Sequence, residues 1–160
     1  MAVIGNNEFP PMPEKLRDFR VFLYLVWRSL KLPEPTPVQL SIAQYLQHGP
    51  RRKVIEAFRG VGKSWITAAY VVWRLRMNPD MKFMVVSASK DRADNFTTFC
   101  LSLINEIPLL HCLKPRPEQR CSKLSFDVGP AGPDQAPSVV SKGIFSQITG
   151  GRANEIIADD

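Results

Sequence analysis

The sequence predicts an α/β fold, a central and mostly parallel sheet flanked by helices. Three observations carry that reading. Strand-like and helix-like segments alternate from Lys53 onward. A glycine-rich loop, Gly60-Val61-Gly62-Lys63-Ser64, lies between an expected strand and a long helical segment. An apolar strand over Glu155 to Ala158 ends in two carboxylates, Asp159 and Asp160. The 160 residues fit one core, with an N-terminal amphipathic helix and linker over 1–35 leading into the α/β unit over 36–160.

Taken in order, Pro10, Pro11 and Pro13 precede Leu16, Phe19, Phe22, Leu23, Val26, Trp27 and Leu30, which recur at helical spacing. That pattern predicts an amphipathic helix ending near Pro33. Lys15, Arg17, Arg20 and Arg28 decorate it, and packing on the domain is favoured over a membrane surface. Thr36-Pro37-Val38-Gln39 begins a second helix, with Thr36 as cap, proline in the first turn and Gln39 completing a capping box. Gly49-Pro50 stops it.

Lys53 to Phe58 reads as a short strand, and Lys63 to about Met77 as a long helix ended by Asn78-Pro79. Lys82 to Ser87 is a second strand, and Ser89 caps a helix reaching about Glu106. Two proline-rich stretches, Lys114 to Pro117 and Gly129 to Pro137, flank Lys123 to Val128, where Leu124, Phe126 and Val128 alternate as in a half-buried strand. Ser138 to Phe145 is expected to pair with it as a hairpin.

Composition excludes several classes. With 44% hydrophobic and 22% charged residues the chain is neither disordered nor fibrous. The longest apolar run, Val21 to Trp27, is far short of the roughly 18 residues of a membrane span. No signal peptide is visible at the N-terminus, so synthesis in the cytoplasm is expected. A net charge of +6 favours a polyanionic partner such as nucleic acid. Cys100, Cys112 and Cys121 form no CxxC pair and are expected as reduced thiols in or near the core. His111 lacks a second ligand pair for a metal, and His48 reads as a loop residue.

The chemistry is concentrated at two places. Ala57-Phe58-Arg59-Gly60-Val61-Gly62-Lys63-Ser64 fits the phosphate-binding pattern GxxxxGK[ST], with alanine replacing the first glycine. Backbone N–H groups of Gly60, Val61, Gly62, Lys63 and Ser64 would wrap a β-phosphate at a helix N-terminus. Lys63 would contact the β and γ phosphates of ATP, and Ser64 would complete the coordination of magnesium, Mg2+. Asp159 is the carboxylate expected across the site to hold Mg2+, and Asp160 is the candidate general base for the attacking water. The fold implied is a P-loop NTPase of the ASCE type.

The stretches AFRGVGKS, VVSASKDRAD, KPRPEQR, SFDVGPAGPD and TGGRANEIIADD resemble the large terminase subunits, or DNA maturase B, of short-tailed podoviruses. The likeness runs through most of the chain. It implies a DNA-packaging ATPase that moves double-stranded DNA into the procapsid. The implied partners are the portal protein and the small terminase subunit, and the implied assembly is a homo-oligomeric ring, a pentamer. The implied place of work is the host cytoplasm, with transient docking on the procapsid portal. It also implies that Arg59, four positions before Lys63, contacts nucleotide and stabilises charge on the γ-phosphate; pairing with an acidic neighbour is the alternative. Gln39, about 20 residues upstream of the loop, resembles the adenine-reading glutamine of that family, while the same side chain suits the capping box. Arg152 resembles an arginine suspected of reaching a neighbouring subunit's ATP site, the alternative being a surface or DNA contact.

Ser87-Ala88-Ser89-Lys90 lies at the ligand-binding edge of the sheet, with a plain helix cap as the alternative for Ser89. The clusters Arg51-Arg52-Lys53 and Lys114, Arg116, Arg120 suit phosphate contacts that position without reading sequence, with solvated loops the favoured reading. The chain stops at Asp160, just after the acid-tipped Walker B strand. The family's later strands, one beside the phosphate-loop strand, its coupling motif and its nuclease domain lie outside it, and no endonuclease activity is expected. A helicase-like DNA-dependent ATPase and a catalytically inactive nucleotide-binding fragment are the competing readings.

Overall fold

The computed structural model describes residues 9–159. Asp160, the expected general base, lies outside the described residues.

The expected first helix is broken in two. A 3-10 turn, Glu14–Arg17, leads through Asp18 in extended conformation into α1, Phe19–Ser29. The break has a local cause: the Asp18 side chain accepts from the Arg20 backbone N–H and so starts a new helix. Hydrogen bonding to Arg20 also holds the Asp18 carboxyl below its ordinary range. Gln47 spans the break, accepting from the Phe19 N–H and donating to the Arg17 carbonyl. The apolar stripe of α1 is buried as its spacing predicts, through Phe19, Phe22, Leu23, Val26 and Trp27.

Helix α2, Pro37–His48, has the capping box read from Thr36 and Gln39, with both reciprocal hydrogen bonds present. His48 is its last residue and not a loop residue. Helix α3, Lys63–Met77, is buried on most of its circumference, from Ile66 to Arg76. Its rings pack against α1: Phe19 lies 5.5 Å from Tyr70 and 5.3 Å from Trp73, centroid to centroid. Trp73 meets its polar requirement by donating from Nε1 to the Leu16 carbonyl at 2.9 Å. Burial pushes the Tyr70 phenol up to about 12, with Glu155 adding to the effect.

Strand β1, Phe83–Ser87, is followed by α4, Lys90–Glu106, whose cap Ser89 accepts from the Arg92 N–H as expected. Strands β2, Ser125–Phe126, β3, Val139–Gly143, and β4, Glu155–Asp159, complete a four-stranded mixed sheet in the order β2-β3-β1-β4. β1 runs parallel to both β3 and β4, and β2 closes an antiparallel hairpin on β3. The expected strand over 123–128 is thus reduced to two residues, although the hairpin forms. α4 packs on β1 and β3, while α3 contacts α4, α1 and α2. Phe83, Val85 and Val139 point into that layer and are fully buried.

One expected strand does not form. Residues 53–58 run without a ladder partner among the described residues, yet they keep strand periodicity: Ile55 and Ala57 pack on the core while Val54, Glu56 and Phe58 face outward. A groove of about 750 Å³ separates this stretch from β4. Val54 at 86%, Phe58 at 66% and Ile156 at 66% exposure are the uncovered apolar side chains of these two elements. Alternation sets which side chains face in, whereas a strand also needs a neighbour about 4.8 Å away, and the groove lies where it would sit.

The proline-rich middle is tightly held. Arg120 donates to Asp127 at 2.9 Å and to the carbonyls of Asp134, Gln135 and Ala136. Arg116 pairs with Glu118. In the expected basic cluster of Lys114, Arg116 and Arg120, two of the three charges are therefore occupied within the chain. Cys100 is buried, its thiol pushed up by burial, and Cys112 is half-buried. Cys121 is exposed, departing from the expected core placement.

Candidate functional site

The loop 57–64 is shaped by two glycines. Gly60 and Gly62 have φ of +93° and +87°, a region where a Cβ costs about 1–2 kcal/mol. Ala57 replaces the first glycine of the pattern without that strain, because Lys31 is the only non-glycine residue with positive φ among those described. Gly62 is the N-cap of α3 and has no side chain to satisfy the first amides, so N–H groups at the helix start are left able to bind an oxyanion.

Three contacts fix the loop. Val61 turns its side chain inward, 4% exposed, and its carbonyl accepts from Gln39 Nε2 at 2.9 Å. The same Gln39 amide accepts from the Thr36 N–H at 2.9 Å. Gln39 therefore closes the cap of α2 and ties that helix to the loop at once. Lys63 folds back so that Nζ donates to the Ala57 carbonyl at 2.8 Å. Ser64 Oγ reaches the tip of β4, 3.0 Å from Asp159 Oδ1 and 2.8 Å from Oδ2.

That last contact joins residues 95 positions apart. A hydroxyl and a carboxylate held together at the end of a strand form an oxygen pair suited to a hard divalent cation. Among the described residues no group of three or more acidic, histidine or cysteine side chains could hold a metal alone, so the pair would need oxygens from a ligand or water.

Beside the loop is a cavity of about 910 Å³. Arg59, Gly60, Gly62, Lys63, Ser64 and Gln39 all line it, so these site residues converge. Arg59 has no ion-pair partner among the described residues, and the expected alternative of an acidic neighbour is not realised. Arg152 stands apart. It precedes β4, whose last residue is Asp159, and it lines neither the cavity nor the groove beside β4. Arg152 adds to the field that holds the Asp134 carboxyl below its ordinary range, after the larger contribution of the Ala136 N–H.

The structure adds residues that the sequence reading did not single out. Leu32, Pro33 and Glu34 from the α1–α2 connection, Trp65 of α3 and Arg92 of α4 line the same cavity. For Arg92 a signal existed: it lies three residues past the Ser89 cap, at the ligand-binding edge of the sheet. The Arg51-Arg52-Lys53 cluster lines the other groove, beside β4. No helix of the described residues is long and apolar enough to cross a membrane.

No protein-family model matches the chain. Its whole length is similar to a curated relative, the terminase large subunit of Enterobacteria phage T3, at 52% identity over 161 aligned residues. The chain spans 28% of that relative's length, at its N-terminal end. At that identity over all of its residues, with the loop, the cap of α2 and the acid-tipped strand in place, the chain belongs with the terminase large subunits, as their N-terminal part.

Proposed function

We propose that this chain is the ATP-binding portion of a DNA-packaging motor of the P-loop type, which hydrolyses ATP to move double-stranded DNA into a phage procapsid. The observation that carries the reading is the hydrogen bond from the Ser64 hydroxyl to the Asp159 carboxylate, within reach of both its oxygens, which sets a GKS loop against an acid-tipped parallel strand. Similarity along the whole chain to the T3 terminase large subunit supports it independently.

In this reading Gly60 to Ser64 cradle the β-phosphate and Lys63 leaves the Ala57 carbonyl for the β and γ phosphates. Ser64 and Asp159 would hold magnesium through their oxygens, with the remaining ligands coming from phosphate and water. Bound there, it would neutralise phosphate charge. Arg59 stabilises charge on the γ-phosphate in cis, Gln39 reads the adenine edge with the amide capacity left by its cap, and Asp160 activates water. Arg152, which does not line the cavity of its own chain, is assigned to a neighbouring subunit's site in the ring. The proposed partners are double-stranded DNA, the portal protein and the small terminase subunit, met in the host cytoplasm.

The test is magnesium-dependent ATP hydrolysis by the chain, with and without double-stranded DNA. Turnover raised by DNA and abolished in Lys63→Ala is the expected result. Binding without turnover would favour a nucleotide-binding fragment, and a soluble, folded chain that binds no nucleotide would overturn the assignment.

A further inference from the structure

The arginines of this chain fall into two groups. Arg20, Arg74, Arg116 and Arg120 pair with carboxylates, and Arg76 is buried, donating to the Leu109 and Pro11 carbonyls with Phe9 beneath it. Arg92 belongs to the second group: it is exposed and has no ion-pair partner among the described residues. It also lines the 910 Å³ cavity shared with the glycine loop, reaching it from a different helix.

Three cations, Arg59, Lys63 and Arg92, line that cavity against a single carboxylate, Glu34. Arg92 adds to this imbalance from the first turn of α4, where the helix dipole already disfavours a positive charge. The N-terminus of α3 and three cationic side chains thus line one space. Mutual repulsion among them is relieved by a polyanion of matching size.

We propose that Arg92 is a further nucleotide-binding residue, contacting the phosphate tail of a nucleoside triphosphate from the α4 side. This rests on the reading of 57–64 as a phosphate loop. A guanidinium offers a planar fork of donors to phosphate oxygens, so its contribution grows with the number of phosphates within reach.

The experiment measures binding of ATP, ADP and AMP to the full chain by tryptophan fluorescence, Trp65 lying in the same cavity. Arg92→Gln should weaken ATP binding about tenfold, ADP binding less and AMP binding not at all, with an unchanged melting temperature. Arg92→Lys should restore part of the loss. Lys63→Ala marks the loop itself and should lose ATP and ADP. If Lys63→Ala loses ATP while Arg92→Gln binds all three nucleotides as the parent does, the proposal is overturned. It is equally overturned if Arg92→Gln weakens only the binding of a double-stranded DNA fragment, which would assign Arg92 to nucleic acid. If Lys63→Ala is also without effect, the phosphate-loop reading fails, and the role of Arg92 fails with it.

Discussion

The two ends of the sheet use their arginines in opposite ways. At the N-terminal end of β1 and β3, the proline-rich stretch is fastened by side chains: Arg120 reaches Asp127 and three carbonyls, Asp127 accepts from the Ser138 N–H, and Gln119 donates to the Val128 carbonyl. At the C-terminal end, the 57–64 loop is fastened by its glycine backbone and by the side chains of Gln39, Lys63 and Ser64, while Arg59 and Arg92 remain outside any ion pair among the described residues. An arginine whose donors are all engaged fixes a shape. One left unengaged in a cavity keeps its donors for a ligand. Both ends are basic in sequence, and their difference lies only in what the guanidinium groups touch.

The largest effect should come from removing the fastening at the structural end. Arg120→Ala leaves Asp127, 8% exposed, without its cationic partner and frees three carbonyls. A loss of roughly 2–3 kcal/mol in urea denaturation is expected, the partial exposure of the pair reducing the figure for a fully buried one. Stability within about 0.5 kcal/mol of the parent would break the contrast.

An intermediate effect is expected at the other end from the backbone itself. Gly62→Ala meets no steric obstacle, its Cβ lying 3.7 Å from Gln39 Nε2, but it must hold a φ of +87°. The cost should be about 1–2 kcal/mol in thermal denaturation, and the loop should lose nucleotide binding as well. A variant as stable as the parent would show that the loop relaxes freely, contrary to a shape held by its glycines.

The smallest stability effect should be that of Arg59→Ala, within about 0.5 kcal/mol of the parent, because its guanidinium holds nothing in place. Its consequence should appear in ATP affinity. A destabilisation as large as that of Arg120→Ala would place Arg59 with the structural arginines and erase the difference between the two ends.

Much of this molecule was legible locally. The capping box of Thr36 and Gln39, the Ser89 cap, the span of α3 and the glycine loop each depend on residues within a few positions of one another, and all appear where their local chemistry puts them. Even 53–58, read as a short strand, alternates inward and outward side chains as a strand does. The pairing of that stretch was not, nor was the length of β2, because a strand exists only when a distant segment supplies its ladder. The same holds for charge. KPRPEQR and SASKDR are both basic runs, and nothing within either run says that Arg120 is consumed by Asp127 and three carbonyls while Arg92 faces a cavity. The sequence by itself determined the helices, their caps and the loop, through short-range sterics and hydrogen bonding. Tertiary structure alone decided the Ser64–Asp159 contact across 95 residues, the unpaired state of 53–58 and which arginines are available, since each depends on chain segments brought together only by folding.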